Sequence, residues 1–248
     1  IGEYATVGDQ APAIQKIFDA IGDASEGVVY FEGGPCHMAT GTVPGRGTRI
    51  KTMGIRRSLF KIIGDGFIPF SGTSEAVEFW DVQFEHDTQL TTERVSPYIK
   101  LTGANSKIIG AIAGRAFRSF EIAASGCEVR NVEGCYNVAG SAGSSLVAVK
   151  GLNNTVAGVK SNSSGFGPAA LVHVGAAITG GTVTGTGNTQ VSNIQNNGRG
   201  RPFWVDGADH TVTGTVIDGV CDNPNAVRAG GLISIASGAN QIDGVLID

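Results

Sequence analysis

Apolar and polar residues alternate along this chain in short runs, and the runs recur. Residues 98–112 read YIKLTGANSKIIGAI, residues 146–159 LVAVKGLNNTVAGV and residues 232–246 LISIASGANQIDGVL, with a further version over residues 203–218. Each holds an alternating run, a turn of small polar residues and a second alternating run. In five copies the last apolar residue before the turn and the first after it lie seven positions apart. The pairs are Leu101/Ile108, Ile122/Val129, Val149/Val156, Val205/Val212 and Ile235/Ile242. Repetition in a fixed phase marks a solenoid, in which each unit buries its apolar positions against the next.

The phase predicts a first strand for each coil at 67–70, 98–101, 120–123, 146–149, 171–174, 203–206 and 232–235. Alternation sorts the side chains of these strands. Ile99 and Leu101, Val147 and Val149, Phe203 and Val205, and Ile233 and Ile235 should point inward and stack. The outward row is then Lys100, Glu121 or Ala123, Ala148, His173, Trp204 and Ser234. The fifth coil, running from Ala170 to Ile178, is expected to have a shorter turn than the rest. Asn105, Asn153, Asn154 and Asn240 suit tight corners. Four longer connections, 88–97, 135–145, 196–202 and 220–231, all precede a first strand. They should therefore rise from one side of the cylinder, as loops do at the binding face of a repeat fold.

Ahead of the coils the period changes. Ile14, Ile17, Phe18 and Ile21 fall on one face of a helix over 11–21, with Asp9 as its expected N-cap and Pro12 in its first turn. Gly22 and Gly27 end it, and Val28–Phe31 is a strand. The AIQ-containing helix, the VVYF strand, a glycine-rich turn and LFKIIGDGFI at 59–68 together resemble a known entry motif. It is that of right-handed parallel β-helices of the pectate-lyase superfamily, especially phage tailspike and tail-fibre depolymerases. The fold expected is all-β: a single-stranded right-handed parallel β-helix of about seven coils with a short N-terminal capping helix. Residues 1–66 would form lead-in, cap and first strands, and 67–248 the coils. The resemblance implies a polysaccharide as substrate, a homotrimer as assembly, and a virion or extracellular location. No obvious cap follows the last coil, which raises the expectation of a longer chain or a capping partner.

Composition narrows this further. Thirty-eight glycines and 16% charged residues favour short strands and tight turns over helices, and 41% hydrophobic residues suffice for a core. A net charge of −4 disfavours a nucleic-acid groove. No apolar run approaches the roughly 20 residues that span a bilayer, so no membrane insertion is expected. Cys36, Cys127, Cys135 and Cys221 follow no metal-binding spacing and read best as buried thiols. No cofactor or metal is expected.

The candidate chemistry lies on the outward row. Trp204 beside Asp206 offers a flat apolar face for a sugar ring and a carboxylate for its hydroxyls. The alternative is a Trp packed under the 196–202 loop or against a neighbouring subunit. Glycoside hydrolysis needs two carboxylates about 5–9.5 Å apart. Asp206 and Glu121, three coils apart, would be about 14 Å from each other and too distant. Asp206 with Asp209, across one turn, is the better pair. Asp222 could join Asp206 if its loop folds back, and Glu85 and Asp87 flank His86 in a second acidic group. Each aspartate can equally be a turn or capping residue. His173, Glu121, Lys100 and Arg201 complete the expected binding residues. A lyase would instead use a base such as His173 with Arg199 or Arg201. The calcium-binding aspartate cluster of pectate lyases and the paired aspartates of polygalacturonases are not evident. Residues 180–187 lack the ending of a phosphate loop, and 140–144 lack the context of a nucleophile elbow.

The expectation that follows is a polysaccharide depolymerase, more hydrolase than lyase. A non-enzymatic receptor-binding or structural spike module and a secreted lyase or epimerase are the alternatives.

Overall fold

In the computed structural model the described residues are 8–23, 27–32, 34–52, 59–86, 96–114, 118–135, 145–161, 170–174, 190–192, 195–196, 201–205, 211–217, 233–235 and 241–247. Beyond Lys160 the strands are described by their backbone and its pairing. Every strand pairing is parallel, and each strand pairs with the equivalent strand one coil away. The chain is thus a parallel β-helix with three faces. Twisted strands of L-residues favour the right-handed sense for such crossovers.

Face 1 carries seven strands: Phe70–Gly72, Ile99–Leu101, Arg118–Ile122, Ser145–Val149, Ala170–Val174, Arg201–Val205 and Ile233–Ile235. Face 2 runs from Val28–Phe31 through Arg49–Thr52, Glu78–Trp80, Lys107–Ile109, Glu128–Arg130 and Thr155–Ala157 to Gln190–Ser192. Face 3 runs from Cys36–Met38 through Leu59–Ile62 and Gln83–His86 to Gln195–Asn196. Thr211–Ile217 and Gln241–Ile247 each cross the corner and serve faces 2 and 3 together. Two rungs of faces 2 and 3 precede residue 67.

The seven-residue phase is a register of the structure. Gly72, Leu101, Ile122, Val149, Val174, Val205 and Ile235 form one continuous row on face 1. Ile50, Phe79, Ile108, Val129, Val156, Val191, Val212 and Ile242 form another on face 2. Their described members are buried because alternation turns them all inward. Nearer the N-terminal end the core is aromatic. Phe60 stacks on Phe84 at 5.5 Å, Phe84 stacks on Tyr98 at 5.1 Å, and Phe70 meets Phe60 edge-on at 5.0 Å. Offset and edge-on contacts are the arrangements that ring quadrupoles favour.

Two corners explain the Asn and Gly pattern. Between faces 1 and 2, Gly47, Ala76, Asn105, Gly126 and Asn153 all have positive φ and sit three residues before an inward apolar residue. Between faces 2 and 3, Asp81, Gly110, Asn131 and Gly158 do the same two residues after one. The left-handed conformation favours Gly, Asn and Asp. The N–H groups of Gly47, Ala76, Asp81, Asn105, Gly110, Gly126 and Asn131 bond the next coil, as in Asn105 to Ser125 O at 3.1 Å and Gly110 to Arg130 O at 2.9 Å. Asn154 serves the corner differently: it is buried, accepts from Cys127 N–H at 2.8 Å and donates to Ala124 O at 3.1 Å.

The helix Ala11–Ile21 lies where the pattern predicted and closes the N-terminal end of the core, with Phe18 6.4 Å from Phe70. Two expectations about it need correction. Gln10 is the N-cap residue, although Asp9 does accept the Ala11 N–H at 3.0 Å. Asp9 also accepts from Ala39 N–H and the Thr40 hydroxyl, so it ties the helix to the chain after the first face-3 strand. Ile17 is 46% exposed, because the buried stripe is Ala11, Ile14 and Phe18 and Ile17 lies beside it. Glutamines fasten the cap: Gln10 bonds His37 through backbone and side chain, and Gln15 brackets Val43.

Two strand expectations also change. The first face-1 strand is Phe70–Gly72 and not 67–70, since Phe70 pairs with Ile99. The fifth coil does not have a short turn: Val174 is followed on face 2 by Gln190–Ser192, so residues 175–189 connect the two faces. The expected loops 88–97, 135–145, 196–202 and 220–231 fall almost wholly outside the described residues, yet the strands that flank each show it to run from face 3 to face 1. Cys36 and Cys127 are free thiols, whereas the thiols of Cys135 and Cys221 lie outside the described side chains. Among the described residues no helix is long and apolar enough to cross a membrane.

Candidate functional site

The outward row on face 1 is a single line of register. Ser71 pairs with Lys100, Lys100 with Glu121, Glu121 with Ala148, Ala148 with His173, His173 with Trp204 and Trp204 with Ser234. The choice between Glu121 and Ala123 thereby resolves to Glu121. Ala123 is the first residue beyond its strand. At strand spacing, successive members of the row are about 4.8 Å apart. Lys100, Glu121, Ala148, His173 and Trp204 thus occupy consecutive rungs, and of these Glu121 and Ala148 are buried.

Around Glu121 the side chains form a closed charge cluster. Its Oε1 lies 3.2 Å from Lys100 Nζ and its Oε2 2.8 Å from Lys150 Nζ. The Glu121 and Lys150 side chains are each 8% exposed and that of Lys100 30%. Lys150 comes from the turn after the Ser145–Val149 strand, one position past the inward Val149. Burial pushes the Glu121 carboxyl upward in pKa. The hydrogen bond and charge of Lys150, reinforced by Lys100, outweigh this and hold it below the ordinary glutamate value. Glu121 is therefore an anion at neutral pH and cannot act as a general acid. Two ammonium groups share this carboxylate.

The other candidates are placed less centrally. Glu85 is exposed on face 3, in register with Lys61, and so does not share a face with Glu121. His86, next to it, turns inward and is buried, with Nε2 3.1 Å from Gly64 O. Arg201 opens the Trp204 strand and pairs with Ala170. Asp87, Asp206, Asp209, Arg199 and Asp222 lie outside the described residues. In sequence Asp206 follows Val205, the last residue of the strand that carries Trp204. Among the described residues no group of three or more His, Cys, Asp or Glu could hold a metal ion.

The sequence pattern missed Lys150, which sits where Thr73, Thr102 and Ala123 sit in other coils. Its signal was available: a lysine one position past the inward Val149, in the coil next to the only acid of the face-1 row.

No protein-family model matches the chain. No curated protein matches it in sequence. Similar solved structures include the A-module of mannuronan C-5 epimerase AlgE6 from Azotobacter vinelandii, at 13% identity and a TM-score of 0.34, covering 94% of this chain and 96% of that one. The A-module of AlgE4 from the same organism is another, at 12% identity and a TM-score of 0.25, covering 98% of this chain and 94% of that one. Likenesses at this level carry no argument about the site, and the fold rests on the strand pairing.

Proposed function

We propose that the protein binds an extended polysaccharide along face 1 and modifies it there. The observation that carries this reading is the in-register row Lys100, Glu121, Ala148, His173, Trp204. A polymer laid along the solenoid axis meets one rung after another, at a spacing similar to the length of a sugar unit. Trp204 serves as the stacking platform, and Lys100, the most exposed member of the Glu121 cluster, donates to sugar hydroxyls. In this reading the reaction is hydrolysis, with Asp206 and Asp209 as acid and nucleophile or base. The polymer is a bacterial capsule or O-antigen, and the protein works as a homotrimer on a virion. The sequence resemblance to tailspike proteins supports those last points.

A second reading is favoured by the two ammonium groups that gather at Glu121. Lys100 and Lys150 beside a histidine rung suit a uronate, whose carboxylate must be neutralised before a base removes the neighbouring proton. The reaction is then elimination or epimerisation.

One experiment separates these. Candidate capsule and O-antigen polysaccharides are incubated with the protein, and their size and end groups are followed. Hydrolysis gives shorter chains with new reducing ends and no unsaturation, whereas elimination gives the ultraviolet absorbance of an unsaturated uronate. The hydrolytic reading fails if Asp206→Asn, Asp209→Asn and Glu85→Gln all degrade the polymer as well as the parent. Binding with no chemical change assigns the protein to the receptor-binding class.

A further inference from the structure

Face 2 carries a second ordered row, and its side chains are described over the five rungs from Tyr30 to Arg130. Tyr30 pairs with Lys51, Lys51 with Trp80, Trp80 with Ile109 and Ile109 with Arg130. Alternation with the buried Val29, Ile50, Phe79, Ile108 and Val129 turns all five outward. Tyr30 is 51% exposed, and Arg130 is exposed at the other end. Tyr30 and Trp80 are two rungs apart, about 9.6 Å, and the whole row is about 19 Å long.

The Trp80 ring is held in place. Its Nε1–H donates to Glu78 Oε2 at 2.9 Å, and Lys51 Nζ lies 5.0 Å from its centroid. A fixed indole loses little conformational freedom when a ligand stacks on it. The flanking row, Arg49, Glu78, Lys107 and Glu128, supplies charge. Glu78 is shared by Arg49 at 3.1 Å and Lys107 at 3.5 Å, while Glu128 pairs with Arg130. Among the described residues of these two rows there are four cations and two carboxylates, and Lys51 lies over a ring. The Arg130–Glu128 pair, with side chains 49% and 26% exposed, is weak and can yield its cation to another anion. This excess sits on a chain whose net charge is −4.

We propose that face 2 is a polysaccharide-binding surface separate from face 1, and that it takes an extended acidic polysaccharide running along the Tyr30–Arg130 row. Tyr30 and Trp80 receive the apolar faces of sugar rings, and Lys51 and Arg130 receive carboxylates or sulfates. Nucleic acid fits less well, because two excess charges supply few phosphate contacts. The site is independent of the face-1 reading, since it shares no residue with it.

Native affinity gels containing polygalacturonate test the proposal, with dextran gels as the neutral control. The parent should be retarded by polygalacturonate, less so as salt rises, and not by dextran. The Lys51→Ala/Arg130→Ala double variant should bind about tenfold more weakly, while Lys51→Arg/Arg130→Lys should keep the retardation. Trp80→Ala should weaken it and Trp80→Phe preserve most of it. Thermal melts of the same samples show that each variant is folded. No retardation of the parent, equal retardation by dextran, an unchanged double variant, or complete displacement by a single-stranded oligonucleotide would each overturn the proposal.

Discussion

Replacing Glu121 by Gln removes the carboxylate that Lys100 and Lys150 share while keeping the side chain's shape. Lys150, with its side chain 8% exposed and 2.8 Å from the lost charge, is then left beside a second ammonium group with no counter-ion from that position. Breaking a buried pair by removing one partner costs about 3 kcal/mol or more, because desolvation of the survivor is no longer offset. In a domain of this size that corresponds to a fall of about 6–12 °C in melting temperature. The effect depends on pH in a defined direction. The folded pKa of Glu121 is depressed, so its contribution is complete above the unfolded value near 4.3 and is lost as pH falls through the folded value. Thermal melts of parent and variant should therefore differ most at neutral pH and converge as pH falls below the ordinary glutamate value and through the lower folded one. Glu121→Leu combined with Lys150→Met should recover much of the loss, since apolar replacement of both partners removes the stranded charge. Equal melting temperatures at neutral pH, or a gap that widens on acidification, would refute the assignment of a buried, ionised cluster.

Other positions give independent tests. A Cβ on Gly151 would lie 1.8 Å from Ala124 O, a backbone atom of the neighbouring coil. Gly151→Ala should thus destabilise by about 3 kcal/mol in denaturant unfolding, and a silent substitution would contradict the coil spacing. Ala76 is a non-glycine in the left-handed corner column, at φ 57°. Ala76→Asn should raise stability by about 0.5–1 kcal/mol, whereas the same melt on Asn131→Ala should show a loss of similar size. Burial and the nearby Asp9 push the Cys36 thiol up to about 11, and burial raises Cys127 as well. Peptide mapping after alkylation at mildly alkaline pH should find both unlabelled in the native protein and labelled after denaturation.

Most of the fold was legible because inward residues such as Leu101 and Ile108 must repeat their spacing for coils to stack in register. The fifth coil was misread for the same reason that the others were read. Residues 175–189 contain alternating apolar residues of their own, Ile178 and Val183 among them, and local pattern cannot say which enters the stack. Pairing of Val156 with Val191 decides it. Ile17 was assigned to the core because helical periodicity marks an apolar side but not how wide a stripe the neighbour covers. The register of the face-1 row from Lys100 to Ser234 was legible, since positions between inward residues follow from the inward ones. The Glu121 cluster was not, because Lys150 reaches it from a turn in the next coil. Face 2 went unread for a different reason: Tyr30, Lys51, Trp80 and Arg130 are 21 to 50 residues apart and become neighbours only through pairing.

The central claim is that the outward row of face 1 engages a polysaccharide. Its most direct measurement is size-exclusion chromatography of capsule and O-antigen polysaccharides after incubation with the parent protein and with Trp204→Ala, with co-elution and chain length read in one run. The account predicts that at least one polymer co-elutes with the parent or is shortened by it, and that Trp204→Ala loses both effects while remaining folded. Unaltered behaviour of Trp204→Ala, or no polymer bound or changed by the parent, would contradict it.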